Sequence, residues 1–127
     1  MNRATLLVHP SDGLGDGLPN VIREGMALGA PVVASDVAGI PDALRDGCGV
    51  LVPPKNAAAL ADSLAMLLGD PAARRDIAVR ARRRTEEKYD LWKNGAQLAR
   101  LLENTHRPTP THLEPQPAAL GRESPAC

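Results

Sequence analysis

Apolar positions along the chain fall into short continuous runs separated by longer stripes of helical spacing. Residues 4–8 are a first apolar run, read as a strand over residues 4–9 that closes at His9. Residues 11–18 form a loop rich in glycine and aspartate. Pro19 opens a helical pattern that closes at Gly29, and Pro31 leads into a second run, residues 32–34, within a strand over 31–35. Strand, glycine loop, helix and strand make one βαβ unit. Its loop lies at the carboxyl end of a strand, where open parallel sheets bind ligands. Residues 36–40 form a second loop, and Pro41 fits the first position of a short helix over 42–45. After the turn signal Asp46-Gly47, residues 49–52 make a third strand, which Pro53-Pro54 ends.

Three helical patterns complete the reading. Asn56 caps the first, which carries Leu60, Leu64, Leu67 and Leu68 on one face and stops at Gly69. Asp70-Pro71 starts the second with a cap and a proline at the first position. Its apolar stripe, Ala73, Ile77 and Ala81, is narrow. Arg80, Arg82, Arg83 and Arg84 follow and read as a solvated helix end whose cations complement the dipole. A weak attraction of that cluster to an anionic membrane surface is the secondary reading. Asp90 caps the third pattern, residues 91–103, where Leu91, Gly95, Leu98 and Leu102 share a face beside Trp92. From residue 105 the chain is proline-rich without periodicity and reads as a disordered tail. His106 and His112 are isolated there, too sparse for a metal site.

Two acidic residues frame the first loop and its helix. Asp16 is in the loop; Glu24 follows after seven intervening residues. A helix starting at Pro19 puts Glu24 more than one turn in, too deep to cap the first turn. A carboxylate there can accept hydrogen bonds from a neutral polyol, such as a ribose, lying along the helix. The N–H groups around residues 18–21 lie between the two acids, at the positive end of the helix dipole, and suit a phosphate. Spacing alone leaves the plainer reading equally open: a solvated loop aspartate and a surface helix glutamate. His9, at the strand end beside the loop, reads as a hydrogen-bonded rim residue rather than a catalyst. Gly39, in the second loop, is read as supplying a backbone conformation that other residues avoid.

Composition narrows the function classes. The 127 residues carry a formal net charge of zero, which gives no footprint for nucleic acid. Tyr89 and Trp92 are the only aromatic residues, so stacking platforms for single strands are not expected. No apolar run approaches the roughly 20 residues of a membrane span. No secretory signal precedes the first strand, so a cytoplasmic location is the default, with peripheral membrane contact as the weaker option. Cys48 and Cys127 form no metal or redox motif; Cys48 reads as a small buried apolar residue. There is no P-loop lysine motif and no carboxylate cluster for a metal.

The stretch DGLPNVIREGMALGAPVVASDVAGIPDAL resembles the donor-binding segment of group 1 glycosyltransferases, the family-4-like retaining enzymes of the GT-B fold. That family carries two acids separated by seven residues, then a glycine, then PVV, then a G-I-P loop. Here these are Asp16 and Glu24, Gly29, Pro31-Val32-Val33 and Gly39-Ile40-Pro41. The likeness continues through GVLVPP at residues 49–54, and the run Tyr89-Asp90-Leu91-Trp92 is similar to an aromatic-acidic-x-Trp pattern of the family. It ends near Asn104. One departure is Asp16, where the family more often has glutamate.

The resemblance implies an α/β, Rossmann-like parallel sheet with flanking helices, over residues 1–104, as part of the carboxyl-terminal, donor-binding domain. It implies a nucleotide-diphosphate sugar as substrate, no metal and no other cofactor, and a saccharide or lipid acceptor. Asp16 is carried over as the catalytic acid contacting the transferred sugar. Gly17, Leu18, Pro19, Asn20, Val21, Glu24, Gly39 and Ile40 are carried over as donor-binding. The family binds acceptor on a first domain, to which the last helix crosses back, and brings basic residues to the diphosphate from early strands of the second. Three strands can be counted here, so the reading expects a partial domain that needs an acceptor domain or partner chain and does not act alone. The competing class is a non-catalytic nucleotide-binding or interaction module of related fold.

Overall fold

The computed structural model describes residues 4–14 and 17–105. The elements are β1 (Leu7–His9), α1 (Asn20–Ala27), β2 (Val32–Ser35), α2 (Ile40–Leu44), β3 (Val50–Val52), α3 (Ala57–Gly69), α4 (Pro71–Lys88) and α5 (Leu91–Thr105). The strands form one parallel sheet in the order β1-β2-β3. Leu7 stands beside Val32 and Val33 beside Val50.

Every residue of the central strand β2 is buried, as expected of a parallel strand covered on both faces. Its side chains alternate between two cores. Val32 and Ala34 pack with Ile22 and Met26 of α1, Ile40, Ala43 and Leu44 of α2, Cys48, and Ala81 of α4. Val33 packs on the opposite face with Val52, Leu67 of α3 and Ile77 of α4. Ile77 and Ala81 lie in different cores, so α4 passes from one face of the sheet to the other.

The helix ends follow local chemistry. Pro19 is the N-cap of α1, held extended at φ −60° and ψ 134°, so the helix begins one residue later than the pattern predicts. Gly29, at φ +72°, turns the chain out of α1 in the left-handed region that favours glycine. The side chains of Asn56 and Asp70 accept N–H bonds of 2.9 Å from Ala59 and from Ala72 and Ala73. Asp90 does the same for Lys93 at 2.9 Å. These are the three caps that the sequence signals. The short helix α2 starts at Ile40, two residues before the expected Asp42, because Pro41 sits inside its first turn.

Three expectations are corrected. The arginines of α4 are not merely a solvated end. Arg80 donates to the Gly47 carbonyl at 2.9 Å, and Arg82 to the Ala27 carbonyl at 2.5 Å. Arg84 donates to the Asp42 carbonyl at 2.7 Å and to the Asp46 carboxylate at 3.1 Å. They tie α4 to α2, to the turn before β3 and to the end of α1; Arg83 alone stays local, paired with Glu87 at 2.8 Å. Leu68 does not share the buried face of α3 and is exposed, whereas Leu67 is buried. The helix α5 runs on to Thr105, one residue into the stretch read as tail, and all its residues are exposed. Residues 106–127, with the expected disorder and with His106, His112 and Cys127, lie outside the described residues.

Candidate functional site

Parallel pairing of β1 and β2 sends the loops that follow them out at the same edge of the sheet. Their first contact is polar. The buried Ser35 hydroxyl, at the end of β2, accepts the Ser11 N–H at 3.0 Å. Ser11 in turn accepts the Gly13 N–H through its hydroxyl at 3.1 Å, and Asp12 accepts the Leu14 N–H at 3.1 Å. A β-carbon on Gly13, at φ +86°, would lie 3.3 Å from the Val37 side chain. Further along, a β-carbon on Gly39 would lie 3.4 Å from the β-carbon of Leu18 and 3.7 Å from its nitrogen. The second loop therefore backs the first where the first enters α1.

Gly39 itself has φ −84°, an angle open to any residue, so it does not supply the unusual backbone conformation expected of it. The left-handed residue of that loop is Ala38, at φ 50°. Ile40 is turned wholly into the core, and its N–H is bonded to the Val37 carbonyl at 3.2 Å.

At the amino end of α1, Pro19 offers no side-chain cap. The first N–H groups of a helix have no carbonyl within it to bond. Ile22 closes onto the Pro19 carbonyl at 3.1 Å. Gly17 and Asn20 are exposed, and Leu18, Pro19 and Val21 half-buried. One turn on, Ile22, Gly25 and Met26 face the core while Glu24 is exposed on the opposite side. The structure thus brings Gly17, Leu18, Pro19, Asn20 and Gly39 together at one helix end, with Glu24 along the outer face of the same helix. Asp16 lies outside the described residues. His9 is half-buried at the end of β1, opposite Ala34.

Two residues beside this cluster carried no site signal in the sequence. Arg23 donates through Nη2 to Oδ1 of Asn20. Its guanidinium carbon lies 5.7 Å from the centre of the Tyr89 ring. The aromatic-acidic pattern draws attention to Tyr89, but nothing in the chain order indicates that its ring reaches α1.

A separate cleft of about 290 Å³ opens on the α3 side of the same sheet edge, between Pro10, Ser11, Ser35, Val52, Pro53 and Leu60. It is mainly apolar and contains none of the residues expected to bind donor. Among the described residues, no group of three or more His, Cys, Asp or Glu side chains is placed to hold a metal ion. No helix among them is long and apolar enough to cross a membrane.

Residues 1–70 match the family described as Glycosyl transferases group 1. The chain belongs to this family. It is 38% identical, over 81% of its length, to the phosphatidyl-myo-inositol mannosyltransferase of Mycobacterium leprae, of which it covers 27%. The fold is that of GT-B glycosyltransferases. Sucrose-phosphate synthase from Thermosynechococcus elongatus superposes on 80% of the chain with a TM-score of 0.73 and 34% identity, and 25% of that enzyme is covered. Anabaena Alr3699/HepE, crystallised with UDP and with UDP-glucose, superposes on 81% of the chain at 26% identity, with 28% of that protein covered. Its TM-scores are 0.76 and 0.75 in the two complexes. The chain therefore spans about a quarter of the length of these relatives and neighbours.

Proposed function

We propose that this group 1 chain supplies part of the donor-binding domain of a retaining glycosyltransferase, and that it holds the nucleotide-diphosphate half of a sugar donor. The observation that carries the reading is the pairing of the uncapped amino end of α1 with the outward-facing Glu24 one turn later. The first offers N–H donors and a positive dipole end to a diphosphate. The second offers carboxylate oxygens to the two hydroxyls of a ribose. The UDP and UDP-glucose found in the Anabaena neighbour support a donor of this chemistry. In this reading Gly17, Leu18, Pro19, Asn20 and Val21 line the diphosphate, Gly39 and Ile40 hold the second loop behind it, and Asp16 contacts the transferred sugar. The acceptor is a saccharide or a lipid, and the reaction needs no metal. A non-catalytic nucleotide-binding module remains the alternative, and turnover separates the two.

Calorimetric titration with UDP, GDP and ADP tests the donor site. A hydrogen bond to a charged group is worth about 1.5–3 kcal/mol, so Glu24→Ala should weaken nucleotide binding roughly ten- to hundredfold. Unchanged affinity removes Glu24 from the site. Asp16 should act on turnover instead, because it is assigned to the sugar. In a chain joined to an acceptor-binding domain, Asp16→Asn should slow transfer and leave the affinity for bare nucleotide intact. A variant that transfers at the normal rate makes Asp16 a loop residue only.

A further inference from the structure

The contacts of Arg23 give the amino end of α1 a support that no motif assigns. A guanidinium carries donors only, so it selects the oxygen of the Asn20 carboxamide. The amide nitrogen Nδ2 is then turned away from Arg23 and left to donate elsewhere. Arg23 is itself held from the other side, with its guanidinium over the Tyr89 ring at 5.7 Å. Its flat, delocalised cation suits that stacking in a way a lysine would not.

Tyr89 is well placed to be the fixed end of this chain of contacts. Its N–H bonds the Thr85 carbonyl at 2.9 Å and closes α4. Arg82, two turns earlier on α4, reaches the last residue of α1. Residues 82 and 89 thus meet residues 27 and 23, so α4 runs antiparallel to α1 and rises beside it towards the sheet's carboxyl edge.

We propose that Tyr89 is a positioning residue of the donor site. Stacked on Arg23, it holds the Asn20 carboxamide so that Nδ2 donates to the anionic group bound at the amino end of α1. This rests on the donor-site reading above. It adds one side-chain donor to the backbone N–H groups and makes the end of α4 part of the site's frame.

The test is a double-mutant cycle on the 127-residue chain, read by calorimetric titration with whichever of UDP, GDP and ADP binds best. Tyr89→Leu should weaken binding about three- to fivefold, the range of an exposed cation–π contact. Tyr89→Phe keeps the ring and should bind as the parent does. Asn20→Ala should weaken binding about tenfold, and in that background Tyr89→Leu should cost nothing further. Should Tyr89→Leu lower the melting temperature enough to disturb the fold, Arg23→Gln carries the same cycle with Tyr89 in place. Losses that simply add, or no loss in a folded Tyr89→Leu chain, overturn the positioning role and leave the donor site standing. Failure of the parent chain to bind any of the three nucleotides removes the donor site and the positioning role together.

Discussion

Gly39 lies against Leu18, and the Ser35 hydroxyl accepts the Ser11 N–H; two small residues thus stand where the loops meet. A third small residue, Cys48, makes a different contribution. It is 3% exposed, just ahead of β3, and burial pushes its thiol above the ordinary cysteine range, against an opposing pull from Arg84. The sign of the linkage follows directly. A raised folded pKa means that the unfolded chain releases the thiol proton first as pH rises. The stability tied to the protonated thiol is complete below the unfolded value, about 8.5, and is lost as pH climbs from there through the folded value. Urea midpoints between pH 7 and pH 10 should therefore fall more steeply for the parent than for Cys48→Ala. Parallel curves would show that Cys48 does not titrate differently in the folded chain.

Most elements were legible because their ends are chemically marked. Asn56, Asp70 and Asp90 cap helices where their side chains say they should, and the run PVV between Gly29 and Ser35 reads as a buried strand from its β-branched density. The path of α4 was not legible. A narrow stripe such as Ala73, Ile77 and Ala81 reports that a helix is buried, but not which partner buries each position. The same limit misassigned its arginines. Charge beside charge along a helix reads as solvation, whereas the acceptors of Arg80 and Arg84 lie in α2 and in the turn before β3, more than thirty residues earlier. The contact of Arg23 with the Tyr89 ring is another such long-range contact, and spacing along a chain carries no trace of it. The helix α5 carries a legible apolar stripe with no partner among the described residues: Leu91, Trp92, Leu98 and Leu102 are all exposed, as the reading of a last helix that crosses back to another domain expects.

The exposed face of α5 bears on what the 127-residue polypeptide can do by itself. Trp92 is 86% and Leu91 78% exposed on a helix whose other apolar residues are also uncovered. The three-stranded sheet has β1 and β3 at its two edges, and unpaired parallel edges invite association. Sugar transfer also asks for more than a donor site. Donor and acceptor must be held together in a cleft poor in water, so that a two-body reaction becomes effectively intramolecular. In the proposed reading the described residues offer one surface to such a cleft, with α1 and the two loops upon it. Domains of this size are stable by only about 5–15 kcal/mol, a margin that exposed apolar faces erode. The polypeptide made alone should therefore bind nucleotide weakly, self-associate as concentration rises, and give no measurable transfer. Sedimentation at several concentrations reads the self-association. An assay with a panel of nucleotide sugars and saccharide or lipid acceptors reads the transfer. A stable monomer that transfers sugar at ordinary rates, about 1 per second or faster, would show that this one surface is sufficient and would sink the reading.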